Sequence, residues 1–251
     1  MAFFKHYFPI SLSNSLKWRS FKTSNINKGA NLSKESYINI ESSIIATITG
    51  DLAPVAQELA EITIDSVLKE GVLKEIPIIG FLLSLWKAQS SVREILYLKK
   101  LSCFLRQLSK ASIEERQLFV ESTLKTDKSK EQFGETILHL IEQASSSEKT
   151  ELYGRFFLAH IQGEYKYEEV LKICTMIDSA YLPELRKLFL FSNAESEDEL
   201  LTSELYRSGF LSLAGLDGGS FATPNTGGPV YILNWYGEQL VHIFNSINEE
   251  I

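Results

Sequence analysis

GGPVYILNWYGEQLVHIF, residues 227–244, decides how this chain is read. Two glycines and a proline lead into a short apolar run, Val230, Tyr231 and Leu233, whose β-branched and aromatic side chains suit a strand. Asn234 then stands where a helix N-cap belongs. Trp235, Leu240, Val241 and Phe244 recur at helical spacing behind it. Upstream, Leu200, Leu201, Leu205, Phe210 and Leu211 supply the apolar face of an earlier helix. Residues 195–244 therefore read helix, glycine-rich connection, strand, helix.

That order, carried by LYRSGFLSL followed by GGPVYILNWYGEQLVHIF, resembles the end of many bacterial winged-helix domains. In those a helix stops at a glycine before a short strand, a hairpin wing follows, and a Y-x-L-T-x-x-G phrase opens a closing helix. Here the phrase is Tyr231-Ile232-Leu233-Asn234-Trp235-Tyr236-Gly237, with Asn234 in place of the threonine. The resemblance covers about 50 residues and implies a shape, not an activity. A second stretch, Lys74–Gly80 (K-E-I-P-I-x-G) with Arg93–Leu101 (R-x-x-L-x-L-K-K-L), resembles uncharacterised bacterial helical proteins and implies no activity.

A winged helix that reads duplex DNA presents bases to the phosphates, which dominate its affinity. The corresponding helix here carries Glu195, Glu197, Asp198, Glu199 and Glu204 against Arg207 alone. The glycine-rich wing has Asp217 and no base. Duplex DNA is therefore disfavoured as a ligand. The charge layout of the whole chain agrees. The formal net charge is −7, with six Lys/Arg and one acid in residues 1–38 and one Arg and nine acids in residues 195–251.

The basic N-terminal stretch contains Phe3, Phe4, Tyr7, Phe8, Lys17, Trp18, Arg19, Phe21 and Lys22. It is expected to be an arm or a hairpin followed by a linker. Its basic and aromatic mixture suits an acidic protein surface, single-stranded nucleic acid or a membrane surface. Its start lacks the long apolar core and cleavage site of a signal peptide, so a cytoplasmic location is expected.

From about residue 39 the periodicity is helical. Asp51 and Pro54 mark the start of one helix, with Val55, Leu59, Ile62 and Val67 on its face and Gly71 as its stop. Pro77 opens the next, with an apolar stripe expected through Val92, Ile95, Leu96, Leu101, Phe104, Leu105 and Leu108. Ser112–Glu115 and Ser196–Glu199 match capping boxes. Helices follow near 113–125, 130–144 and 148–162, parted by KTDKSK and SSSEK, and continue through YEEVLKICTMIDSA and LPELRKLFLF.

The run 76–86 has no charge, but eleven residues rise only about 16 Å as a helix, too little to span a bilayer. A core helix is the expected reading. The alternative is a membrane-active segment at Ile78, Ile79, Gly80, Phe81, Leu82 and Leu83.

Signals for catalysis are poor. The histidines, His6, His139, His160 and His242, are scattered. His160 and Glu164 could share a helix face, a pairing that is more often a surface contact. No zinc spacing, nucleophile elbow or phosphate-binding glycine motif occurs, although Gly215, Gly218, Gly219, Gly227 and Gly228 cluster. Cys103 and Cys174 read as core thiols. No catalytic residue, metal or cofactor is expected.

The sequence thus implies a mainly α protein. It has a basic arm over 1–38, a multi-helix core over 39–194 and a small winged-helix-like α+β module over 195–251. The expected work is protein–protein interaction, with Lys17, Trp18, Arg19, Lys22, Trp235 and Tyr236 as candidate contacts. The partner is expected to be another protein, with a homo-oligomer contact left open. A membrane-disrupting effector and a nucleic-acid-binding regulator are the alternatives. An Ile/Ser/Lys/Asn-rich chain without housekeeping motifs resembles bacterial or prophage accessory proteins, which implies interference with phage or host machinery, as in superinfection exclusion.

Overall fold

Each polar break in the helical sequence becomes a helix cap. In the computed structural model, which describes residues 40–53, 74–85, 91–193, 199–219 and 227–249, the helices are α1 (Ile40–Thr49), α2 (Pro77–Leu85), α3 (Val92–Leu108), α4 (Ile113–Thr123), α5 (Asp127–Gln143), α6 (Ser147–Ile161) and α7 (Tyr167–Ser179). A short α8 (Leu182–Leu185) and a 3-10 turn (Leu188–Asn193) lead to α9 (Glu199–Arg207), β1 (Leu211–Asp217), β2 (Gly228–Leu233) and α10 (Trp235–Glu249). All of these lie in one compact unit, Asn39–Ile251. The expected arm, the body of the helix beyond Pro54 and the box at Ser196 lie outside the described residues.

The box at Ser112 forms as its residues dictate. Ser112 Oγ accepts the Glu115 N–H at 3.1 Å, and Glu115 Oε2 accepts the Ser112 N–H at 2.7 Å. Thr126 and Ser146 cap α5 and α6 through the N–H groups of Ser129 and Lys149. A further box, Ser91 with Glu94, opens α3. It corrects the expectation of one apolar stripe running from Val92. The buried face of α3 is Leu98, Leu101, Phe104, Leu105 and Leu108. At 3.6 residues per turn, Val92 and Leu96 fall on the opposite side of that helix. They are 69% and 53% exposed.

Packing centres on the α3–α6 pair. A side chain at Gly154 of α6 would place its Cβ 2.7 Å from the Phe104 carbonyl oxygen and 2.8 Å from Gln107 Cβ. Only a glycine lets these two helices approach so closely. The approach brings Phe104 and Phe157 edge to face at 5.4 Å. Phe157 continues to Phe133, and Phe133 to Phe119, at centroid distances of 5.9 and 5.6 Å. Edge-to-face rings gain quadrupole attraction beyond their buried area.

Three cations, Arg116 and Lys149 buried and Lys100 half-buried, bind the helices end to side. Arg116 of α4 donates through Nη1 to the Ile48 and Gly50 carbonyls, at 2.7 and 3.0 Å, where α1 ends. Lys100 of α3 donates to the Glu142 and Ala144 carbonyls at the end of α5. Lys149 of α6 donates to Asp178 and Ala180 at the end of α7, at 2.7 and 2.8 Å. A helix end leaves its last carbonyls without donors and carries the negative pole of the dipole, so a cation satisfies both needs. Burial pushes the affinity of all three groups for their protons below the ordinary value.

The segment LPELRKLFLF does not continue as one α-helix. Its buried residues, Leu185, Leu188 and Phe191, stand three apart. That is the repeat of a 3-10 helix, in which every third side chain is eclipsed. Beyond it, α9 ends at Arg207, and Gly209 turns the chain with φ 92°. The Phe210 N–H closes back on the Leu205 carbonyl. Leu211 therefore begins a strand instead of extending the helix face. β1 and β2 pair antiparallel, Leu211 opposite Leu233 and Leu213 opposite Tyr231, with a register shift at Ala214. Asn234 Oδ1 accepts the Gly237 N–H at 3.1 Å, capping α10. Its Nδ2 donates to the Gly209 carbonyl at 2.7 Å, which ties the cap to the turn before β1. Leu201, Leu205, Phe210, Leu211 and Leu240 join the same apolar cluster as the earlier helices.

Cys174 and Tyr153 are fully buried, and burial pushes the pKa of each well above its ordinary value. The folded chain therefore keeps both protons after the unfolded chain has lost them. Their contribution is complete below an unfolded pKa of about 8.5 for the thiol and about 10 for the phenol, and falls as pH rises beyond each. Lys100 and Lys149, shifted down, act in the opposite sense. Tyr97, Tyr165 and Tyr167 are shifted up like Tyr153 and outnumber them. Thermal unfolding followed from pH 7 to 11 should show Tm declining from about pH 9. A flat or rising Tm would contradict this packing.

Candidate protein-binding surface

A seam of rings runs outward from the core. His160, near the end of α6, lies 5.1 Å from Phe119 and 5.6 Å from Tyr167. Its Nδ1 sits 2.8 Å from the Tyr165 carbonyl oxygen. A carbonyl oxygen only accepts, so in the neutral ring Nδ1 carries the proton and Nε2 keeps the lone pair. The turn Gln162–Glu164, with Gly163 at φ 83°, brings Tyr165 back over the helix end. The Tyr165 hydroxyl donates to Gln239 Oε1 of α10 at 2.8 Å, and its ring meets Phe156 at 5.8 Å and Trp235 at 5.9 Å. Burial, then the carboxylates of Glu164 and Glu169, raise the Tyr165 pKa, so its hydroxyl stays a donor.

Trp235 opens α10 and remains 41% exposed. Tyr236 stands against it edge to face at 5.0 Å, and Lys172 Nζ lies 4.4 Å from the Tyr236 ring centroid. The exposed indole is thus held between two tyrosines instead of turning freely.

Beside Tyr165 a shallow open groove of about 470 Å³ lies between α4 and the end of α6. Leu118, 66% exposed, forms its apolar wall, and Glu115, Ser122 and His160 supply polar groups. A second hollow, of about 480 Å³, lies between Lys99, the Ser145–Ser147 turn and Tyr181. The Lys149 ammonium there is already engaged by two carbonyls.

Two of the sequence candidates, Trp235 and Tyr236, meet on this surface. Lys17, Trp18, Arg19 and Lys22 lie outside the described residues. In the uncharged run, Ile78, Ile79 and Leu82 are buried against the core, and Gly80, Phe81 and Leu83 are half-buried. The Ile78 N–H donates to Thr47 Oγ1 of α1. Among the described residues no helix is long and apolar enough to cross a membrane. His160 and Glu164 do not share a helix face, because α6 ends at Ile161 and His160 turns to the Tyr165 carbonyl. Arg207 on α9 is ion-paired with Glu204. Among the described residues no group of three or more His, Cys, Asp or Glu converges as a metal site.

Tyr165, Leu118 and Glu115 escaped the sequence reading as site residues. The phrase GEYKYEE before a helix start was the available signal, since two tyrosines in a charged turn are costly unless they pack. No family model, no curated protein and no solved structure matches this chain.

Proposed function

We propose that this chain is a non-catalytic protein-binding protein that holds its partner on the Tyr165–Trp235 surface. Its C-terminal helix–hairpin–helix is a winged-helix-like unit used for protein contact. The observation that carries this reading is an exposed tryptophan fixed between Tyr165 and Tyr236. Interface energy concentrates in a few Trp, Tyr and Arg side chains, and an anchor already held in place loses little entropy on binding. The acidic surroundings of α9, α10 and the hairpin favour a basic partner through steering. They oppose a phosphate backbone, and the one base on α9 is engaged by Glu204. The narrower role, interference with a phage or with host machinery, follows from the resemblance to prophage accessory proteins.

Affinity capture with the tagged chain, from cells with and without phage infection, tests this. One protein should be retained reproducibly, and Trp235→Ser should weaken its binding by about 2 kcal/mol, roughly 30-fold. A protein recovered only from infected cells would support the narrower role. Equal binding by Trp235→Ser would remove Trp235 as anchor, and recovery of no specific protein would remove the function.

A further inference from the structure

The groove beside Tyr165 sets a carboxylate and an imidazole in a lining of aliphatic and aromatic side chains. Glu115 is its charged lining residue at neutral pH, and no Lys or Arg stands among the described residues that line it. The Glu115 Oε2 atom accepts the Ser112 N–H in the capping box, which engages one oxygen of the carboxylate. His160 adds a second acceptor, since its Nδ1–H is committed to the Tyr165 carbonyl and Nε2 holds a lone pair. The Ser122 hydroxyl lines the same groove. Leu118, largely exposed, offers an aliphatic wall.

We infer that this groove receives an arginine side chain of the partner protein. A guanidinium is a planar fork of five donors with no acceptor, and it suits several acceptors set around a flat, partly aromatic hollow. The arginine stem lies along Leu118, and the fork meets Glu115 Oε1 and His160 Nε2. An ammonium has the charge but not the fork, and an anion meets the Glu115 carboxylate with no Lys or Arg in the described lining to offset it. This deepens the protein-binding reading and rests on it, because the groove borders the Tyr165–Trp235 surface through Tyr165 itself.

The test uses the full chain and a defined probe, arginine blocked at both ends (N-acetyl-arginine amide), titrated in solution by NMR. Amide signals of Leu118, His160, Gln162 and Tyr165 should shift saturably. The blocked citrulline analogue, equal in shape but uncharged, should bind about tenfold more weakly. Glu115→Gln keeps the capping box, because glutamine also serves at that position, and should weaken arginine binding by a similar factor. Equal affinity for arginine and citrulline, an unaffected Glu115→Gln variant, or no saturable shift would each overturn the inference. Capture of a partner that depends on Trp235, together with no response to arginine, would sink the groove and leave the protein-binding reading intact. Arginine binding without any captured partner would remove the protein-binding reading and, with it, the assignment of the groove to a partner's arginine.

Discussion

Replacing Phe157 with alanine should destabilise the fold by about 3–5 kcal/mol, the largest effect expected from any single truncation here. Phe157 is 1% exposed and lies on α6, where it meets Phe104 of α3 at 5.4 Å and Phe133 of α5 at 5.9 Å. It also faces Tyr167 of α7 at 6.4 Å. One ring therefore touches three neighbouring helices. The alanine variant loses the transfer energy of the ring and leaves a cavity that these helices cannot fill, because Gly154 already holds α3 and α6 at closest approach. Urea unfolding followed by far-ultraviolet circular dichroism gives the number. A loss below about 1 kcal/mol would mean that the ring cluster does not organise the core.

The second large effect concerns Arg116. Arg116→Met should cost about 2–4 kcal/mol, even though methionine keeps the apolar stem of the side chain. The guanidinium serves the carbonyls of Ile48, Gly50 and Ala111, and removing it leaves these groups without their donor. Relief of the charge's own desolvation offsets part of that cost, which is why the figure is lower than a sum over three lost bonds. Arg116→Lys should recover only part of the loss, since one ammonium cannot reproduce the forked geometry. The expected signature is a lower urea midpoint with an unchanged m-value. A variant within about 0.5 kcal/mol of the parent would show that the end of α1 is satisfied by other means.

The elements that the sequence displayed most plainly are those with local causes. Ser112 and Glu115 announce α4 because both halves of a capping box lie within four residues. The stripe Leu98, Leu101, Phe104, Leu105 and Leu108 announces α3 by its own period. Two features misled. Leucines at 200, 201, 205 and 211 fit one continuous helix, so the side-chain pattern hid the first strand, which only the winged-helix resemblance implied and which Gly209 at positive φ permits. Val92 and Leu96 look like core by composition, yet the phase of α3 turns them outward. The helix-end cations were not legible at all. Arg116 and Ile48 are 68 residues apart, and nothing local marks a lysine or arginine as a partner for a distant helix end. The same holds for the candidate surface. Trp235 could be singled out as an exposed aromatic, but its fixed orientation depends on Tyr165, itself bonded to Gln239 across 74 residues. Periodicity says which face is apolar and is silent on what covers it, so Leu118 gave no sign of standing open beside that pair.

Hydroxyl-radical footprinting of the captured complex addresses the binding surface most directly. Bound partner should protect Trp235, Tyr165 and Leu118 together, while Val92 and Leu96 on the far side of α3 keep their reactivity. Protection confined to Val92 and Leu96, with Trp235 as reactive as in the free chain, would contradict it.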